Sequence, residues 1–478
     1  MPCDHAAWQG KHARRTARAP VAAALREEGS MRVLYNLALM MVAPFLPLRL
    51  WWRGRREPGY RHHVSERFGF YRAPASAGTA DTAEARPLLW LHAVSLGETR
   101  AAYPLVRALR EKFPDHRLLV TQMTATGREA AVNLYGDHAS IAFLPYDLPW
   151  AVRRFLAHFR PQAGIVMETE VWPNLLRECR RAGVPVILAN ARLSQRSARG
   201  YARVASLARQ AFADLTIVGA QTAVDAERFR TLGASAVEIT GNMKFDVTTS
   251  PELVARGQAL RDRWGGRPTL LLASSRDGEE ALVLDALARE PLPAATLLVI
   301  VPRHPQRFGD VAALLEHRGV VFARRSDEAA LSSRCAVVLG DSLGEMTAYF
   351  AACDVAIIGG SLLPFGSQNL IEACAAGAPV IIGPSTFNFE LAAELALAAG
   401  AAVRVTDAEG AIAAARALLA DARKRDAMAE AGRRFAVAHR GATVRTIALV
   451  ERVLEELPSR PPPSSPRGRG RREPAAGR

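Results

Sequence analysis

Residues 337–390 constrain this chain most. Three short β-branched runs, at 337–339, 355–358 and 380–382, are each bounded by glycines. Runs of this kind, with no polar alternation, mark parallel strands buried on both faces. Between them two loops open helices: Asp341-Ser342-Leu343-Gly344-Glu345 and Gly366-Ser367-Gln368-Asn369. Helix N-termini present unpaired backbone N–H groups and a positive dipole end, so each can hold a phosphate or carboxylate. Just inside the two helices stand Glu345 and Glu372, carboxylates able to accept from the paired hydroxyls of a ribose. The same glycines also serve ordinary turns, and acids are common in first helical turns, so the pattern fits a nucleotide pocket or a plain strand–turn–helix.

A chain of 478 residues can bury two cores, and 49% hydrophobic with 23% charged residues is a globular balance. Five scattered cysteines form no Cys-x-x-Cys pair and no metal-ligand spacing, which reads as reduced core thiols in a cytosolic compartment. The net charge of +15 points to an anionic partner. With aromatics at 7% and not interleaved with basic residues, a membrane surface or anionic substrate fits better than nucleic acid. Residues 457–478 are a Pro/Ser/Gly/Arg tail expected to be disordered. Residues 33–48 carry no charge, and Arg49, Trp51, Trp52, Arg53, Arg55 and Arg56 follow. A full span needs about 20 apolar residues, reached by counting through Trp52 and leaving Arg49 near the interface. Residues 31–56 are therefore expected to be a membrane anchor with a cytoplasmic basic flank, against the alternative of a buried core helix. Residues 1–30 lack pattern, and Met31 is the expected true start, leaving 1–30 a non-native or disordered extension.

From residue 87 strands and helices alternate, with strands expected at 88–92, 117–121, 141–144, 163–167, 184–189 and 215–218, and one amphipathic helix over 97–113. This is a parallel sheet wrapped by helices on both faces, whose ligands bind at the carboxyl ends of the strands. Three strand ends stand out. Ser95-Leu96-Gly97-Glu98 sets a carboxylate in a first helical turn, where it serves either the helix dipole or chemistry. Thr124 lies in a polar strand-end loop suited to sugar hydroxyls or to capping a helix. Glu168 and Glu170 leave a strand just before Trp172-Pro173-Asn174. Alternation resumes at 268–273, after a helix to about residue 264. Val301-Pro302-Arg303-His304-Pro305 follows the second of these strands, and a long helical region over 409–456 closes the fold. Arg303 in this Pro-flanked turn can pair with a phosphate.

Several of these segments together resemble the 3-deoxy-D-manno-octulosonic acid (Kdo) transferase family, which moves Kdo from CMP-Kdo onto a lipid A precursor. They are Ser95–Glu98, Met167-Glu168-Thr169-Glu170-Val171-Trp172-Pro173-Asn174, Asn190-Ala191-Arg192-Leu193-Ser194, Gly241-Asn242-Met243-Lys244-Phe245-Asp246, Pro302–Pro305, Gly344-Glu345-Met346, Gly359-Gly360-Ser361-Leu362 and Asn369–Glu372. The resemblance runs from about residue 31 to 450. It implies a GT-B glycosyltransferase fold, two Rossmann-like doubly wound domains at 57–248 and 249–456 with a cleft between, after an N-terminal anchor helix. It implies Glu98 as general base in an inverting displacement. Pro302, Arg303, His304, Leu343, Gly344, Glu345, Asn369, Leu370, Ile371 and Glu372 would hold the nucleotide. Ser95, Gly97, Thr124, Glu168, Glu170, Arg192 and Lys244 would lie toward the acceptor or sugar, with Arg192 meeting an acceptor phosphate or the Kdo carboxylate.

The implied acceptor is the tetra-acylated precursor lipid IVA at the cytoplasmic face of the inner membrane. No cofactor and no metal is implied. Two departures stand out: many relatives carry histidine where this chain has Arg276 and again where it has Gln368. A UDP-sugar transferase or epimerase of the same fold is one alternative, told apart by donor competition; a non-catalytic membrane-surface binder is another, which would need a defective site and has Glu98 against it.

Overall fold

A computed structural model describes residues 31–72, 86–246, 250–327 and 335–457. The expected extension at 1–30, and all but the first residue of the expected tail at 457–478, lie outside the described residues. The chain divides into two compact units, residues 1–240 with 444–478, and residues 241–443.

The first unit holds a seven-stranded sheet: β1 (Leu88–His92), β2 (Arg117–Gln122), β3 (Ser140–Phe143), β4 (Ala163–Met167), β5 (Val186–Ala191), β6 (Ile217–Ala220) and β7 (Val237–Ile239). Their order is β3-β2-β1-β4-β5-β6-β7, all parallel. The chain winds outward from β1 in one direction and then from β4 in the other, so the switch point of this doubly wound sheet lies between β1 and β4. Every residue of β1, β4 and β5 is buried, which is why these strands read as apolar runs, broken only by His92 and Asn190 at their carboxyl ends. Trp90, Val166, Leu188 and Val218 join Phe155, Leu176 and Phe212 from the helices in one core.

The second unit repeats the plan with β8 (Thr269–Ser275), β9 (Leu297–Pro302), β10 (Phe322–Arg324), β11 (Val337–Leu339), β12 (Val355–Ile358), β13 (Val380–Ile382) and β14 (Ala402–Arg404). The order is β10-β11-β9-β8-β12-β13-β14, again parallel, with the switch point between β8 and β12. Alternate residues feed opposite faces: Leu271, Ala273, Val299 and Ile358 enter one core, and Leu270, Leu272, Ile300 and Ile357 the other.

Three expectations change. The helix foreseen over 97–113 is two, Leu96–Ala101 and Tyr103–Lys112, because Pro104 in the first turn of the second cannot supply an N–H to continue the first. The region 409–456 is three helices, Ala408–Ala420, Ala422–Ala438 and Ala442–Glu455, broken where Asp421 caps a new start and at Gly441, whose φ is 95°. The last of these leaves the second unit and belongs from Val444 onward to the first. There Arg445 donates to the Thr240 carbonyl at 2.7 Å. Asp246 explains the nearby chain path within the second unit, accepting from Gly441 N at 2.6 Å and Thr443 N at 2.5 Å.

Candidate active site

In the first unit the site grows from the end of β1. Ser95 caps the helix Leu96–Ala101, its hydroxyl accepting from Glu98 N at 3.4 Å. The Glu98 carboxylate folds back: Oε2 accepts from Val94 N at 2.8 Å and Oε1 from Ser95 Oγ at 3.1 Å. The pattern resembles a capping box, except that the carboxylate takes the N–H of Val94, the residue before the cap, and not that of Ser95. Burial pushes the Glu98 carboxyl up to about 7, against the pull of the Val94 hydrogen bond and with a further push from Glu168 and Glu170 across the switch point. Burial likewise raises Glu170, which accepts from Trp172 Nε1 at 2.9 Å. A carboxylate that changes protonation near neutrality is suited to take a proton from a hydroxyl.

Strain accumulates at the same sheet edge. Glu168 has φ 59° immediately after β4, and Asn190 has φ 52° near the end of β5. A non-glycine residue in the left-handed region costs on the order of 1–3 kcal/mol, and such positions gather at functional sites. Thr124 is a helix cap as well as a loop residue, accepting from Gly127 N at 3.1 Å and donating to the Val94 carbonyl at 3.3 Å. Val94 thus joins Thr124 to Glu98. Gly97 and Arg192 are exposed at this edge. Lys244, expected toward the acceptor or sugar, belongs to the second unit, with Nζ 3.2 Å from the Asn388 carbonyl and over the Phe389 ring.

In the second unit cations gather where β8, β9 and the loop after β12 end. Arg303 Nε donates to Gln368 Oε1 at 3.0 Å, and Arg276 Nη1 stands 3.1 Å from His304 Nε2. That last contact needs a neutral imidazole accepting at Nε2. Arg276 also covers the Phe365 ring, 4.7 Å from its centroid. Glu372 is pushed up by burial and held down by the charge of Arg303, so it belongs to this cluster. Pro302 is the buried last residue of β9, and His304 is exposed.

The remaining expected nucleotide residues divide. Asn369 caps its helix, accepting from Ile371 N at 3.0 Å, while Leu370 and Ile371 have their side chains in the core and offer only backbone. Leu343 and Gly344 are exposed. Glu345 caps rather than enters its helix. Its Oε1 is already engaged by Arg256 at 2.9 Å and Arg325 at 3.2 Å, and only the buried Oε2 lacks a partner. Both helices that the loops open, Met346–Ala352 and Leu370–Ala376, are only seven residues long.

Two residues not singled out in the sequence build this edge. Glu279, fully buried, accepts from Arg276 N at 2.8 Å, Gly360 N at 2.6 Å and Leu362 N at 3.0 Å. It therefore ties the end of β8 to the glycine loop after β12 across the switch point. That loop runs so close that a Cβ on Gly359 would lie 2.5 Å from the Ser274 carbonyl oxygen. Glu280 takes Arg307 in a two-point contact at 2.7 and 3.0 Å and accepts from Ser275 Oγ at 2.5 Å. The available signal was two acids in the first turn of Glu279–Arg289, which sequence alone assigns equally well to the helix dipole.

Two parallel doubly wound sheets, each with its polar and charged groups at the carboxyl edge beside its switch point, make the GT-B type of fold. Known structures share this fold. A glycosyltransferase from Rickettsia africae ESF-5 aligns with a TM-score of 0.50 at 12% identity, over 78% of this chain and 99% of that one. The Anabaena protein Alr3699/HepE, solved with UDP, aligns with a TM-score of 0.50 at 15% identity, over 78% and 100%. The family model for glycosyl transferases group 1 matches residues 320–435, and the model for 3-deoxy-D-manno-octulosonic-acid transferase (kdotransferase) matches residues 62–247. The 3-deoxy-D-manno-octulosonic acid transferase of Bordetella pertussis is 47% identical over 434 residues, 88% of this chain and 99% of its own. That of Haemophilus influenzae is 34% identical over 89% and 99%. The chain belongs to the Kdo transferase family.

Proposed function

We propose that this enzyme takes Kdo from CMP-Kdo and transfers it to a hydroxyl of the lipid A precursor lipid IVA, inverting the anomeric carbon in one displacement. The acceptor oxygen attacks that carbon and its proton passes to Glu98. The bond from the anomeric carbon to the phosphate oxygen breaks, and CMP leaves with the electron pair. The observation that carries this reading is Glu98 itself. It is a carboxylate raised to about 7 by burial and held by Val94 and Ser95 at the switch point of its sheet, so it can accept a proton near neutral pH. The donor presents two anions, a phosphate and the sugar carboxylate, and Arg303 and Arg276 are matched to them by charge. Fixed positive charge at a departing phosphate is the electrostatic help such a reaction needs, and we assign it here to side chains rather than to a metal. The working location in this reading is the cytoplasmic face of the inner membrane, supported by the apolar helix Met31–Arg53.

The test is direct. Purified enzyme is incubated with CMP-Kdo and lipid IVA, with and without a chelator, and the lipid is weighed by mass spectrometry. The expected product is heavier by Kdo residues in both conditions, and UDP-sugars give none. Transfer from a UDP-sugar instead would overturn the donor, and loss of transfer with the chelator would overturn the metal-free route.

A further inference from the structure

The helix Met31–Arg53 has the length and apolarity of a membrane span, yet one side of it is packed. Its buried or half-buried positions after Met31 are Arg32, Tyr35, Asn36, Leu39, Ala43, Leu46 and Leu50. These recur every three or four residues, so they form a single stripe on one side of the helix. The stripe runs the helix's whole length, about 34 Å at about 1.5 Å per residue, and it faces the first unit.

Both ends are tied down. Near the start, Arg32 Nε donates to Gln210 Oε1 at 3.1 Å, Tyr35 OH to Asp147 Oδ2 at 2.8 Å, and Asn174 Nδ2 to Asn36 Oδ1 at 2.7 Å. Asp147 is itself fixed by Asn174 N at 3.0 Å and Leu175 N at 2.7 Å. At the far end Leu50 is buried, Arg61 donates to the Trp51 carbonyl at 3.4 Å, and the Arg53 guanidinium lies 4.2 Å from the centre of the buried Tyr60 ring. In between, Pro44 removes an N–H and the helix tightens into the 3-10 turn Ala43–Phe45.

The rest of the helix surface is apolar and uncovered. Val33, Leu34, Leu37, Met40, Met41, Val42, Phe45 and Leu48 are each between 50% and 70% exposed. A contiguous face of this kind marks an interaction surface. Its charged end names the occupant. Arg49, Arg53, Arg55 and Arg56 are exposed beside Trp51 and Trp52, the pairing of base and indole that sits at the headgroup level of an anionic bilayer. A second copy of this chain would offer the tryptophans no headgroup layer and the four arginines no anionic partner.

We infer that Met31–Arg53 lies flat in the interfacial layer of an anionic bilayer, held along one side by the first unit, and does not cross the membrane. A crossing helix would have hydrocarbon around its whole girth for about 30 Å. That would require stripping Arg32, Tyr35 and Asn36 from their partners and leaving Asp147 and Asn174 without theirs. The arrangement also sets which edge meets the lipid. Asp147 and Asn174 follow β3 and β4, at the same carboxyl edge that carries Glu98 and Glu168, so a lipid acceptor reaches that edge from the bilayer surface.

The inference rests on the membrane attachment proposed above, and the experiment separates the two. In full-length protein with Cys3→Ser, where the cysteines among the described residues are buried, Ser30→Cys or Arg55→Cys places one thiol at either end of the helix. Intact spheroplasts are treated with a charged, impermeant maleimide before and after lysis. Both positions labelling only after lysis is the expected result. One position labelling in intact cells means a span and overturns the inference. Separately, purified protein is floated with phosphatidylglycerol or phosphatidylcholine vesicles. Binding to the former is expected, weakened about tenfold or more by Leu37→Glu with Met41→Glu on the exposed face, with an unchanged melting curve. Failure to bind either vesicle overturns membrane attachment itself, and a concentration-dependent dimer formed through this face, in place of vesicle binding, overturns the choice of occupant.

Discussion

Replacing Glu98 by Gln separates stability from catalysis. Burial raises this carboxyl from 4.5 to about 7. As pH rises the unfolded chain therefore releases the proton first, and the folded state loses stability between about pH 4.5 and 7. At about 1.4 kcal/mol for each pH unit between those values, holding Glu98 ionised above pH 7 costs about 3 kcal/mol, or about 2 after allowing for its partial solvent access. Gln fits the same place: its carbonyl can accept from Val94 N and its amide can donate to Ser95 Oγ. The variant should match wild type near pH 5 and exceed it by about 2–3 kcal/mol at pH 8, roughly 4–12 °C in the melting of a unit this size. Turnover should fall about 100- to 10,000-fold, because an amide takes no proton. Wild-type kcat/KM should rise with pH and level off above about 7 as one proton is lost. The assays are thermal melts from pH 5 to 8 and initial rates on the same samples. Equal stability at pH 8 would refute the buried-carboxylate argument, and more than a tenth of wild-type turnover would remove Glu98 as the base.

Arg303→Ala and Arg276→Ala should each weaken CMP-Kdo binding by about 10-fold or more, the worth of a charge-assisted hydrogen bond, whereas lipid affinity stays unchanged; calorimetry on each variant decides, and unchanged affinity in both would move the donor away from this edge. Glu279→Ala leaves the N–H groups of Arg276, Gly360 and Leu362 without their acceptor, at about 1–3 kcal/mol each, so urea unfolding of the second unit should shift by at least about 3 kcal/mol; a shift below about 1 kcal/mol would mean water replaces the carboxylate.

Much of the architecture was legible because doubly buried parallel strands have no polar alternation to confuse them. The strands absent from the sequence reading, β7, β10 and β14, are all three-residue edge strands. β7 is Val-Glu-Ile with Ile239 half exposed, so it lacks the apolar signature that burial imposes. The helix breaks at Ala102 and Asp421 were visible in principle, since Pro104 and a capping Asp both announce a new start.

The site was legible by position and not by partnership. Ser95, Glu98, Glu168 and Glu170 come together as a group because all follow two adjacent strands, β1 and β4, and sequence places strand ends well. Partnership depends on residues far away in the chain. Glu345 reads as a free carboxylate until Arg256, 89 residues earlier, takes its Oε1. Glu279 reads as a helix-dipole acid until the backbone at Gly360, 81 residues later, is found on it. The anchor helix follows the same rule. Its composition says apolar and long, which permits a span, and partners far away in the chain, Asp147 for Tyr35 and Gln210 for Arg32, reveal that one side is already occupied. A carboxylate's solvation and a helix's free girth are both properties of what packs beside them. In each of these cases the chemistry inferred from residue type had to be narrowed by one tertiary contact.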